Sequence, residues 1–214
     1  MKIQDITKYI DHTILAPTAS EVDVKRVCEE SVKYNAASAC IIPYYVKKMH
    51  NDFPSLNICT VVGFPLGYNT LESKVFETKE ALAKGAKEID MVINNTLIKN
   101  GEYKAIYEEI ATLKKVCGSL VLKVIIETSY LSEQEKIEMC KIVGDADADY
   151  IKTSTGFGPS GADLKDIELF KKHLDDKVKI KAAGGIRDLE SVISYINAGC
   201  TRIGTSSMMK FILT

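Results

Sequence analysis

The sequence has no tryptophan, only three histidines and only five prolines in 214 residues. The scarcity of histidine bears first on metals. His12, His50 and His173 are widely spaced, and none stands beside a cysteine at zinc-ligand spacing, so no metal centre is expected. Long apolar runs are also missing. No stretch approaches the roughly 20 residues that span a bilayer, and the opening MKIQDITKYIDHT lacks the apolar core of a secretory signal. Neither sign of charge is in excess: 28 basic against 29 acidic residues leave a net charge of −1. That removes long-range attraction for nucleic acid or an anionic membrane surface. It leaves room for a local basic pocket that holds a small phosphorylated ligand, because net charge averages such a pocket away. The six cysteines, at 28, 40, 59, 117, 140 and 200, form no C-x-x-C pair. They are expected to be reduced, mostly buried thiols of a cytoplasmic protein. No linker, charge block or low-complexity tract interrupts the chain, so one domain is expected over 1–214.

What the chain does have is a recurring unit, a short apolar run followed by an amphipathic stretch. The runs are Ile10–Leu15, Ala37–Ile42, Ile58–Val62, Glu88–Ile93, Leu120–Ile126, Tyr150–Thr153, Lys179–Ala182 and Arg202–Gly204. Most are rich in Val and Ile and too short for helices. Their starts lie roughly 20 to 32 residues apart, the length of a strand plus a crossover helix. Helix signals fill the gaps. Ser20 precedes EVDVKRVCEESVKY, whose Val22, Val27 and Val32 are expected to share an apolar face. Leu71–Lys84 stops at Gly85, and Tyr103–Val116 stops before Gly118. Ser132 with Glu135 forms a capping box, and Asp188 opens LESVISYINAG. Eight strands alternating with helices predict a closed (β/α)₈ TIM barrel in a single domain. The rival, an open doubly wound sheet, lacks a G-x-G-x-x-G after its first strand in the dinucleotide-binding version.

In a barrel the chemistry sits at the C-terminal ends of the strands. Lysines interrupt three apolar runs there: Lys123 in VLKVIIE, Lys152 in YIKTSTG and Lys181 in IKAAGG. A buried lysine is costly unless it is paired or deprotonated. The structural explanation is that each snorkels or meets a carboxylate, and Asp90 and Asp11, also inside runs, could supply the balance. The chemical explanation concerns Lys152 and Lys181 on consecutive parallel strands. Two ammonium groups brought close disfavour one another's charge, which keeps an amine neutral enough to attack a carbonyl. Lys179 alternates onto the face of Lys181 and is expected to reach solvent at the bottom of the barrel. Glycines and hydroxyls gather after the last three strands: Thr155-Gly156, Gly184-Gly185 and Gly204-Thr205-Ser206-Ser207, with Arg187 close by. Such loops after strands seven and eight often bind phosphate through backbone N–H groups.

These residues carry a resemblance. The segments IDHTIL, ACIIP, TVVGFPLG, EIDMVIN, LKVIIET, YIKTSTGF, IKAAGGIRD and RIGTSS, in this order, resemble class I deoxyribose-phosphate aldolases along essentially the whole chain. The resemblance implies a TIM barrel that needs no metal or other cofactor. It implies reversible cleavage of 2-deoxy-D-ribose 5-phosphate to acetaldehyde and D-glyceraldehyde 3-phosphate. The Schiff-base lysine then falls on Lys152, the second lysine on Lys181 and the proton-relay aspartate on Asp90. Asp11 falls where a substrate hydroxyl is contacted, and Gly184, Gly185, Ser206 and Ser207 fall on the phosphate cradle. Two departures stand out. Phe157 occupies a position where some members carry a lysine near the phosphate, which leaves Arg187 and the backbone to supply the charge. Some members also have a tail with a tyrosine used in proton transfer, whereas the last tyrosine here is Tyr195, within a helix. Cys40, in ACIIP, is expected at the pocket mouth. A homodimer is the expected assembly. The competing functions are a metal-dependent aldolase, a phosphosugar isomerase or epimerase on the same barrel, and a phosphosugar-binding protein without chemistry.

Overall fold

The computed structural model describes residues 3–212; the outermost positions of the domain expected over 1–214 lie outside them. Eight parallel strands close into a barrel, each paired with the next and the eighth returning to the first. They are β1 (Ile10–Ile14), β2 (Ser38–Ile41), β3 (Ile58–Val62), β4 (Glu88–Val92), β5 (Val121–Ile125), β6 (Tyr150–Lys152), β7 (Lys179–Ala183) and β8 (Arg202–Thr205). The expected runs match these to within one residue at each end. The open-sheet alternative is excluded by the pairing of Asp11 with Gly204 across the closing seam.

The helices are α1 (Ile3–Ile6), α2 (Glu21–Lys33), α3 (Val46–Asp52), α4 (Leu71–Ala83), α5 (Asn95–Lys99), α6 (Tyr103–Cys117), α7 (Glu133–Asp145), α8 (Leu164–His173), α9 (Leu189–Ala198) and α10 (Met208–Ile212). Reciprocal capping boxes start α2 at Ser20 with Asp23 and α7 at Ser132 with Glu135. Gly199 stops α9 in the left-handed region, at φ 114. One expectation is corrected. Val22 and Val32 do not share the buried face of α2; they are 78% and 50% exposed. Residues five apart are rotated by about 140° on a helix, so they drift off any one face. The buried positions are Val24, Val27, Cys28 and Ser31, which follow the i, i+3, i+4, i+7 pattern.

Strand alternation sorts the side chains into two very different interiors. Facing the helices are Ile89, Met91, Leu122, Val124, Ile151, Ile180, Ala182 and Ile203, part of one continuous apolar core. Each fully buried Ile, Leu or Val there contributes roughly 1.5–3 kcal/mol. Inside the barrel lie a small separate apolar cluster of Cys40, Cys59 and Val61 and the buried Val92, Ile125 and Ala183. Charged side chains stand among them. Register brings Asp90 beside Lys123, Lys152 beside Lys181, and Lys181 beside Arg202. Lys179, at the start of β7, is exposed as expected and lies 5.7 Å from the centre of the Tyr150 ring.

Candidate active site

Asp90 is the hub of the barrel interior. Its Oδ2 accepts hydrogen bonds from Lys152 Nζ at 2.7 Å and Lys181 Nζ at 2.6 Å, and its Oδ1 from Lys123 Nζ at 2.8 Å. Cys59 Sγ donates to Oδ1 at 3.2 Å. Burial opposes the charge on Asp90, but Lys123, Lys152 and Lys181 outweigh it and hold the carboxyl well below the usual carboxylate range. A second layer lies toward Arg202. Glu88 pairs with Lys123 at 2.5 Å and with Arg202 at 2.9 Å. Asp11 accepts from Lys181, from Arg202 at 2.5 Å and from Ser38 Oγ at 2.6 Å. Thus Lys123, Lys152, Lys181 and Arg202 face Asp11, Glu88 and Asp90: four cations against three carboxylates, one positive charge in excess.

Three sequence expectations change at this point. Lys181 is not a depressed amine. Burial works against its charge, but Asp11 and Asp90 on either side outweigh burial and hold it above its ordinary value. Asp11, expected at a substrate hydroxyl, is a counter-ion to Lys181 and Arg202 and is not among the residues that line the cavity. Both oxygens are taken by protein partners, and the side chain is fully buried. Cys40 does not stand at a pocket mouth. It lies within β2, fully buried against Cys59 and Val61, with Leu15 and Phe64 packed on that cluster.

Above the cluster opens a cavity of about 630 Å³. Lys152 lines it, together with Thr155, Gly156, Phe157, Gly184, Gly185, Arg187, Gly204, Thr205, Ser206 and Ser207. All of the expected cradle residues therefore come to one wall. Gly204 makes room for the machinery beneath: a Cβ there would sit 3.2 Å from Lys181 Cε and 3.0 Å from the Ala183 Cβ. Gly184, at φ 85, lets the loops after β6 and β7 touch backbone to backbone; a Cβ on it would lie 3.0 Å from Gly161 Cα. Thr205 Oγ1 donates to Ile186 O at 2.7 Å and accepts Ser207 N–H at 3.0 Å, which ties the loops after β7 and β8 together. Phe157 stands half-exposed at the rim, edge-on to Phe64 with ring centres 5.3 Å apart.

Donor atoms of Cys40, Cys59 and Asp90, and of Asp11, Cys59 and Glu88, lie within 4.8 Å of one another, close enough for a metal to bridge. In both groups the carboxylates already hold lysine or arginine ions.

Buried lysines thus meet on one carboxylate beneath a glycine- and hydroxyl-rich cavity lining. Residues 6–206 match the DeoC/LacD family aldolase. The chain belongs to that family. It is 56% identical over 207 residues to deoxyribose-phosphate aldolase of Clostridium botulinum (strain Alaska E43 / Type E3), covering 96% of this chain and 94% of that one. It is 50% identical over 211 residues to deoxyribose-phosphate aldolase of Clostridioides difficile (strain 630), covering 98% and 96%. Among solved structures, the aldolase QR15 superimposes with a TM-score of 0.93 at 42% identity, over 97% of this chain and 94% of that one. Deoxyribose phosphate aldolase from Aeropyrum pernix, described as a unique tetramer, gives 0.92 at 31% identity, over 99% and 91%.

Several residues of this aldolase site escape a reading of the sequence. Glu88 and Arg202 complete the ionic cluster, yet they open their strands, where charges are ordinary. Arg26 and Lys210 line the cavity beside Arg187; on helices they look like solvent-facing cations. Lys74, fully buried, donates to Glu109 at 2.6 Å and to Val92 O at 2.8 Å. It braces the end of β4, two residues beyond Asp90. An amphipathic helix gave no sign that this lysine faces inward. Among the described residues, no helix is long and apolar enough to cross a membrane.

Proposed function

We propose that this chain is a Schiff-base aldolase that reversibly cleaves 2-deoxy-D-ribose 5-phosphate to acetaldehyde and D-glyceraldehyde 3-phosphate, with Lys152 as the nucleophile. One observation carries the assignment. Of the three inward lysines only Lys152 lines the cavity; Lys123 and Lys181 are sealed beneath it with no exposure.

The charge count supports the same choice. With one cation in excess, the cluster becomes balanced when the lysine open to the cavity gives up its proton. The neutral amine adds to the C1 aldehyde of the open-chain sugar, and loss of water leaves an iminium. The iminium withdraws electrons from the adjacent bond. As the C3 hydroxyl loses its proton, the C2–C3 pair flows toward the iminium, releasing glyceraldehyde 3-phosphate and leaving an enamine. Protonation at C2 and hydrolysis return acetaldehyde and the free lysine. Asp90, 2.7 Å behind the amine, is the relay for these protons, with water from the cavity. It carries a proton only in passing, because three lysines favour its ionised form. Lys181 acts as the fixed counter-ion that keeps Asp90 in place. The glycine and serine wall holds the phosphate and so fixes C1 over Lys152, a positioning effect.

No cofactor enters this scheme. The six cysteines, all free and buried, suit a cytoplasmic protein, and a homodimer is the assembly we expect. An isomerase or epimerase would use the same phosphate wall but would leave Lys152 without work. The test is turnover of 2-deoxyribose 5-phosphate in excess chelator. Acetaldehyde and glyceraldehyde 3-phosphate should form in equal amounts at an undiminished rate. Loss of activity on chelation, or a pentose product, would overturn the proposal.

A further inference from the structure

Glu127 belongs to the LKVIIET segment but has no part in the steps above. It stands two residues beyond β5 in the left-handed region, at φ 52 and ψ 70. That conformation is disfavoured for a residue with a side chain. The side chain is 2% exposed and does not line the cavity. Its Oε2 accepts the backbone N–H of Thr155 at 3.1 Å and also the Thr155 hydroxyl. Thr155 Oγ1 in turn accepts the N–H of Phe157 at 3.0 Å. Of the three N–H groups at 155, 156 and 157, two are thereby occupied. Among the described hydrogen bonds the Gly156 N–H has no protein partner, and Gly156 lines the cavity. The neighbouring backbone is stitched in the same direction, with Thr128 N–H donating to Thr153 O at 2.9 Å. The chain then passes directly over the carboxylate: a Cβ on Gly158 would lie 2.9 Å from Glu127 Oε1.

We propose that Glu127 is the positioning residue of the phosphate wall. It holds the turn after Lys152 so that the Gly156 N–H, rather than those of Thr155 or Phe157, is offered to the ligand. A carboxylate near an anion site would ordinarily repel the ligand. Here the carboxylate is buried and does not line the cavity, and its Oε2 is engaged by the Thr155 N–H and hydroxyl. The role rests on the aldolase reading above and adds to it a residue that acts on substrate grip without touching substrate.

The experiment compares kcat and KM of Glu127→Ala, Glu127→Gln and Thr155→Val, and of the Ala/Val double variant, on 2-deoxyribose 5-phosphate and on unphosphorylated 2-deoxyribose. Glu127→Ala should raise KM for the phosphorylated sugar about tenfold, the size expected for losing a hydrogen bond to a charged group, with a smaller change in kcat. On the unphosphorylated sugar kcat/KM should fall less than about threefold. Glu127→Gln keeps an acceptor for Thr155 and should recover most of the loss. In the Thr155→Val background, Glu127→Ala should add less than it costs alone, because the hydroxyl half of the link is already cut and only the N–H at 155 still reaches Oε2. Borohydride trapping of acetaldehyde on Lys152, a substrate without phosphate, should remain intact in Glu127→Ala and so reports a folded site. Equal losses on both sugars, additive effects of the two substitutions, or an unchanged KM would overturn the positioning role. Failure of the unsubstituted protein to trap acetaldehyde would instead sink the aldolase reading itself. If Glu127→Ala does not fold, Glu127→Met, which keeps the length of the side chain but offers no oxygen acceptor, takes its place and must show the same split between the two sugars.

Discussion

The lower and upper halves of the barrel interior use polar groups in opposite ways. In the lower half, Asp11, Asp90, Lys123 and Lys181 have no exposure at all, and each is the partner of the others. In the upper half, the groups of the loops after β6, β7 and β8 face a cavity. Burying an ion costs several kcal/mol unless close partners compensate, so the lower half is complete without ligand and tolerates no gap. The upper half is held by backbone links such as Thr205 to Ile186 and meets its charge only when an anion arrives. Lys152 lies at the border, paired below with Asp90 and open above. A nucleophile needs that position: fixed by its counter-ion, yet reachable.

The contrast can be tested from its strongest element downward. Asp90→Ala leaves three buried lysines without their shared carboxylate. It should remove nearly all activity and lower stability by about 3–5 kcal/mol, as for other broken buried pairs, read by urea unfolding and by turnover. If stability hardly changed, the lower half would not be the closed unit described. Lys181→Leu comes next. It takes a cation from both Asp90 and Asp11, so the carboxylate behind Lys152 is no longer held from two sides. Activity at neutral pH should drop by about tenfold to a hundredfold, read as kcat/KM on 2-deoxyribose 5-phosphate. Activity close to that of the unsubstituted protein would show that the site does not need this counter-ion.

In the upper half the effects should be selective. Ser207→Asp places a carboxylate in the anion wall and should raise KM for the phosphorylated sugar about tenfold or more through repulsion, with much less effect on unphosphorylated 2-deoxyribose. Equal losses on both would mean that this wall serves the fold and not the ligand. The smallest effect expected is on stability against pH. Asp90 and Asp11 have lowered pKa values in the folded protein, so their contribution is complete above the ordinary value of 3.8 and is lost as pH falls further. Lys181 is raised above its ordinary 10.5, so its contribution is complete below that pH and is lost as pH rises through the folded value. The cluster should therefore leave Tm level between about pH 5 and 9 and depress it below about pH 4. A stability step near neutral pH would contradict the pairing.

The same two halves differ in how far the sequence disclosed them. Val- and Ile-rich runs at regular spacing disclosed the barrel, and lysines that break those runs disclosed Lys123, Lys152 and Lys181. Asp90 stood out for the same reason. The sequence could not say how these charges pair, because that depends on register between strands far apart in the chain. The expected repulsion between Lys152 and Lys181 therefore became a shared carboxylate, and Asp11 became a counter-ion. Glu88 and Arg202 were hidden by ordinary positions at strand starts. In the upper half the glycines and serines were legible as loop chemistry. Glu127 was not, since its burial follows from a left-handed turn, and nothing in the sequence marks such a turn at a glutamate. Nor was the internal position of Cys40, which was expected one step nearer the cavity than β2 places it.

The central claim is that Lys152 alone of the buried lysines forms the covalent intermediate. Borohydride reduction in the presence of acetaldehyde, followed by peptide mapping, tests it most directly. The account predicts a single two-carbon adduct per chain, on the peptide that carries Lys152, and none in Lys152→Leu. An adduct on Lys123 or Lys181, or full turnover without any trapped adduct, would contradict it.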